Sequence, residues 1–115
     1  MYQQRYAEMA SDSPQVARMR EKEALEKAIS RLAAARSKGA LSPEAFEATD
    51  FVRRLWSIFI ADLSNEDNGL PAELRASLIS IGMWVRREAD RIDRGQSSNF
   101  DGLIEINKLI ADGLA

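Results

Sequence analysis

The sequence predicts an all-α protein: a small antiparallel bundle of about four helices, residues 14–115, preceded by an N-terminal arm, residues 1–13. Three observations lead there. Apolar residues recur at helical spacing through most of the chain. Ser-Pro pairs and single glycines punctuate it where helices start and stop. No alternating run or Asn-Gly hairpin signals a strand.

The arm holds both tyrosines, Tyr2 and Tyr6, with Met9 behind them. Coiled into a helix, these three share one face. A terminal segment of this kind either packs on the bundle or serves a partner. The first long helix opens at Ser13-Pro14, where serine caps free N–H groups and proline has no N–H to lose. It runs to about Lys38 and stops at Gly39. Leu25, Ala28, Ile29, Leu32 and Ala35 form its stripe, whereas Val16 and Met19 lie off it and Arg18 to Glu23 are mostly charged.

The second helix opens at Ser42-Pro43 and reaches about Leu63. Val52, Leu55, Trp56, Phe59 and Leu63 form its main face, Phe51 and Ile58 one flank, and Phe46 and Ile60 the other. An apolar arc this wide exceeds what one neighbour covers, so the helix is either central or presented to a partner. After the loop Asn65–Gly69, a third helix starts at Pro71 and ends near Arg94-Gly95. Leu74, Leu78, Ile81, Val85 and Ile92 make a coiled-coil-like seam, Ile79 and Met83 lie nearly opposite, and Trp84 lies about 90° away. Gly82 within that helix implies close approach of another backbone, that of helix 2 or of a bound segment, since a mid-helix glycine costs about 1 kcal/mol relative to alanine. The fourth helix begins at Ser98 or Asn99 and closes at Gly113, with Phe100, Leu103, Ile110 and Leu114 on its face. Asn107 falls in the middle of that face and needs a hydrogen-bond partner if buried.

Composition narrows the function classes. The 115 residues, 45% hydrophobic and 30% charged, suit one domain. The chain has no Cys and no His, which removes thiolate chemistry, disulfides, sulfur-ligated metal and the commonest general base. An enzyme, a cofactor and a bound metal are therefore not expected. No apolar run is long enough to insert in a membrane, and the N-terminus has no h-region of a secretory signal. Residues 1–40 carry net +3, residues 41–73 net −5, and the remainder balances within an overall −2. The charge runs read as solvated faces. RNA is not expected to be bound directly, because the basic first helix (Arg18, Arg20, Lys22, Lys27, Arg31) lacks aromatic platforms. Glu21, Glu23 and Glu26, interleaved with bases, read as surface; in the pairs Arg53-Arg54 and Arg86-Arg87 the two members point about 100° apart, so that one of each can bridge to a carboxylate. The surplus apolar surface of helices 2 and 3 is the functional signal: it is either a buried central pair or a groove for an amphipathic helix.

Tyr2-Gln3, Tyr6, Phe51-Val52-Arg53-Arg54-Leu55-Trp56, Leu70-Pro71, Leu74 to Gly82, Trp84-Val85 and Asn99 to Glu105 together resemble the flagellar biosynthesis regulator FlaF family of alphaproteobacteria, across essentially the whole chain. The resemblance implies a cytoplasmic protein that promotes flagellin synthesis or secretion, opposite the repressor FlbT, which acts on flagellin mRNA. It points to flagellin as a direct partner, held by an amphipathic terminal segment. Such segments need their apolar faces covered before export, which a helical groove achieves. The expected groove lies between helices 2 and 3, lined by Phe51, Trp56, Ile58, Ile79, Met83 and Trp84, with Tyr2 and Tyr6 as a flap. The other expectation is a regulatory adaptor that works through FlbT or the flagellin message using the basic first helix.

Overall fold

The computed structural model describes residues 14–113, which form four helices: α1 (Pro14–Lys38), α2 (Pro43–Leu63), α3 (Ala72–Asp93) and α4 (Phe100–Asp112). The arm, with Tyr2 and Tyr6, and the terminal Leu114 lie outside the described residues. No strand is present among the described residues.

The helix ends follow from local chemistry. Gly39 sits at φ +98°, which an L side chain resists, and its N–H closes the last turn of α1 on the Ala35 carbonyl. Ser42 caps α2: its hydroxyl oxygen accepts from the Ala45 N–H at 3.1 Å, with Pro43 in the first turn. Asn99 caps α4 by accepting from the Gly102 N–H at 3.0 Å. The turn from α3 to α4 is tied by Glu88, a nearly buried carboxylate. It accepts from Arg91 at 2.9 Å and from the Ser97 hydroxyl at 2.5 Å, two charge-assisted bonds that compensate its burial.

Helix α1 packs against both α2 and α4, and α2 packs against α3. The core joins Leu25, Ala28, Leu32 and Ala35 of α1 to Ala45, Ala48, Val52, Leu55 and Trp56 of α2. Val85 and Ile92 of α3 and Phe100, Leu103 and Ala111 of α4 complete it. The α2 face therefore matches the expected one. Small alanines on α1 and α2 allow the two helices to approach closely. Asn107 is fully buried and satisfied: its carbonyl oxygen accepts from the Trp56 indole N–H, and its amide donates to the Leu103 carbonyl.

Gly82 accounts for the α2–α3 contact. A Cβ there would lie 2.8 Å from Trp56 Cε3 and 3.0 Å from Ile60 Cδ1, so α3 is seated directly on these side chains. The expected close approach is present, but it is made by side chains of α2 and not by a second backbone. Trp56, expected to line a groove, is 1% exposed and is a core residue, because α3 sits on its ring at Gly82. The seam of α3 is also covered unequally. Val85 and Ile92 are buried, Leu78 and Ile81 are half-buried, and Leu74 is 44% exposed.

Candidate functional site

That unequal cover is a matter of helix length. Arg36 of α1 pairs with Asp101 of α4, so these antiparallel helices are registered at that end. Helix α4 has 13 residues and α1 has 25, lengths of about 20 Å and about 38 Å. Counting back from the Arg36–Asp101 pair, α4 ends level with about Leu25, and the earlier turns of α1 run on without it. The bundle thus has four helices at one end and three at the other.

At the three-helix end lies an apolar cleft of about 120 Å³. Trp56, Phe59 and Leu63 of α2 form its floor, with Leu70 and Leu78 on the α3 side and Ile110 on α4. Trp56 and Phe59 meet edge to face, with ring centroids 5.3 Å apart, a favoured aromatic geometry that fixes the floor. Asn68 holds the intervening loop against α2, donating to the carboxylate and carbonyl of Asp62 and accepting from the Leu70 N–H. Arg75 donates to the Leu63, Asn65 and Leu70 carbonyls, pinning the same loop to the start of α3.

Two carboxylates rim the cleft, Glu21 of α1 and Asp62 of α2. Burial pushes the Glu21 carboxyl above its ordinary range, the neighbouring Asp62 charge adds to this, and Arg18 offsets part of it. Among the described residues no salt bridge joins either carboxylate to a Lys or Arg.

The residues expected to line a groove are dispersed. Phe51 is half-buried beneath α1. The Arg31 guanidinium lies 4.8 Å and the Lys27 ammonium 5.6 Å from its ring centroid, a cation–π arrangement. Ile58 is 66% exposed, on the flank of α2 shared with Phe51. Ile79 is half-buried on α3, whereas Met83, 49% exposed, lies beside Arg86, Arg87 and Asp90 in a shallow depression. Trp84 is 36% exposed and points about 100° away from Met83. Of the six, only Trp56 borders the cleft. Phe59, Leu63, Leu70, Leu78 and Ile110 were legible as apolar positions, but nothing local in sequence marks them as one surface.

The fold and the cleft define a class: a small all-α bundle with an open apolar cleft. Among the described residues it has no acidic cluster placed to hold a metal and no helix long and apolar enough to cross a membrane. The chain belongs to the family described as Flagellar protein FlaF, which matches residues 2–114. It is a flagellar protein. No curated protein and no solved structure matches it.

Proposed function

We propose that this protein promotes flagellin synthesis and secretion by binding flagellin directly, as an export chaperone in the cytoplasm, and that it does so without catalysis. The observation that supports this reading is the short fourth helix. Where α4 ends, the faces of α2 and α3 are left as an apolar cleft in line with a missing helix, which an amphipathic segment of flagellin would continue. Covering apolar surface contributes roughly 25 cal/mol per Å², less the cost of ordering the bound segment. Export requires release, so moderate affinity suits the task.

Isothermal titration with flagellin, and with flagellin lacking its terminal segments, tests the reading. Micromolar or tighter binding, lost on truncation and little changed by salt, is expected. Leu78→Lys should weaken it at least about tenfold, because burial of a leucine is worth roughly 1.5–3 kcal/mol. Charge reversal of Arg20 and Lys27 should leave it unchanged. Absence of heat and of co-elution would overturn the reading. Co-purification with FlbT instead would move the assignment to a regulatory adaptor acting on flagellin translation.

A further inference from the structure

We infer that the segment filling the cleft is a cationic amphipathic helix. An apolar residue enters between Phe59 and Leu78, and a Lys or Arg one turn away reaches the Glu21 and Asp62 carboxylates. That a partner binds here rests on the proposed function; the chemistry the partner carries is read from the rim. The cleft has apolar walls and an anionic edge. Its charged lining residues are Glu21, half-buried on α1, and Asp62, exposed near the end of α2. The loop bordering it adds Glu66 and Asp67.

The chain's own cations at this end are engaged elsewhere. Among the described residues no salt bridge reaches Glu21 or Asp62. Arg75 donates to the Leu63, Asn65 and Leu70 carbonyls instead. Arg18, about one turn before Glu21, offsets only part of what raises that carboxyl. Asp62 accepts from the Asn68 amide at 3.1 Å, a neutral donor that leaves its charge in place. Glu21 is thus a residue that disfavours the free fold when ionised: burial comes first and the Asp62 charge second. An arriving cation would reverse that balance. Lys and Arg suit both parts of the site, since the methylene stem covers apolar wall while the head stays at the wet edge. Spaced three or four residues from the apolar anchor, the cation shares its face. One partly exposed pair adds little salt dependence, so binding stays mainly apolar.

Isothermal titration of Glu21→Gln and Asp62→Asn with flagellin provides the test. Each variant should bind about threefold to tenfold more weakly than the wild type. Glu21→Gln should at the same time be no less stable at pH 7, so the weakening cannot come from a damaged fold. At about pH 5 wild-type binding should release protons, read as heats that differ between buffers of different ionisation enthalpy. A cation drives off the proton that burial and Asp62 hold on Glu21, whereas a neutral occupant desolvates the carboxyl further and takes protons up. Glu21→Gln should lose that release. Unchanged affinity in both variants, with Leu78→Lys still weakening binding, would overturn the cationic helix and leave the flagellin reading standing. If flagellin does not bind, n-hexylammonium and n-hexanol, each titrated into the full-length protein, decide the point through the Leu63, Leu78 and Ile110 methyl resonances. The ammonium should bind at least about threefold more tightly, with the preference lost in the double variant Glu21→Gln/Asp62→Asn. Equal shifts from the two probes, or none, would overturn the assignment.

Discussion

The Trp56 indole N–H donates to the Asn107 side-chain oxygen at 2.8 Å, across the interface between α2 and α4, with both residues buried. Among the described residues no element besides α1 packs extensively on α4, so this bond fixes α4 relative to α2. It also sets the tilt of the indole that floors the cleft. Asn107→Leu removes the acceptor and leaves a buried N–H without a partner, at a cost of about 1–3 kcal/mol. Trp56→Phe removes the donor. In a double-mutant cycle by urea denaturation, the double variant should be more stable than the sum of the singles predicts, by about 1 kcal/mol.

Gly82→Ala sets helix propensity against packing. Alanine gains up to about 1 kcal/mol in a helix interior. Its Cβ, however, would meet Trp56 Cε3 at 2.8 Å, an atom of a rigid ring held by Phe59 and Asn107. Ile60 can rotate away; the indole cannot. The clash should therefore prevail, with a net loss of about 1–2 kcal/mol, in the range typical of overpacked cores. A midpoint at or above that of the wild type would show that α3 can slide on α2 and that Gly82 does not fix their separation.

These two residues also show how far the sequence could be read. Asn107 in the middle of an apolar face announced a need for a partner, and Gly82 announced a close neighbour, because each breaks a local rule at some cost. The helix start at Ser42 and the stop at Gly39 were legible from their residue types, and the start of α4 to within Ser98 or Asn99. Which half of the α3 seam is covered was not. That depends on where α4 ends relative to α1, which the Arg36–Asp101 and Trp56–Asn107 contacts set over separations of 65 and 51 residues. Ile58 of α2 and Met83 and Trp84 of α3 were expected to line one groove but none of them borders the cleft, since a helical projection contains no neighbours.

Arg53 faces three carboxylates, Asp90 and Asp93 across the α2–α3 interface and Asp50 on its own helix. It pairs with Asp93, lies 3.4 Å from Asp90 and 4.0 Å from Asp50, while the Thr49 hydroxyl donates to Asp93 at 2.6 Å. Arg53→Met would leave Asp90 and Asp93 as neighbouring like charges with no cation paired to either among the described residues, while Asp50 keeps Arg54. A loss of about 1–3 kcal/mol is expected at low ionic strength. Added salt should reduce it, because these groups are partly exposed and screened. Arg54 is exposed and pairs only with Asp50 among the described residues. It should tolerate the same change within about 0.5 kcal/mol. Comparing the two variants at low and high salt checks both statements.

Glu21 should give the protein a pH dependence opposite to that of a salt-bridged carboxylate. Burial in the cleft rim, then the Asp62 charge, raise its proton affinity in the folded state above the ordinary value of 4.5, with Arg18 opposing. The folded chain therefore holds this proton to higher pH than the unfolded chain does. Stability from this group falls as pH rises through the interval between the unfolded and the folded values. Below 4.5 the group is protonated in both states and costs nothing. Above the raised folded value the full cost of a partly desolvated charge is present. Glu21→Gln removes that cost. The variant should unfold at a higher urea concentration than the wild type at pH 7, and the difference should close as pH falls below 4.5. An advantage independent of pH would mean that the glutamine gains from packing alone. Lower stability of the variant at pH 7 would mean that a cation or donor holds the Glu21 carboxylate in the intact chain.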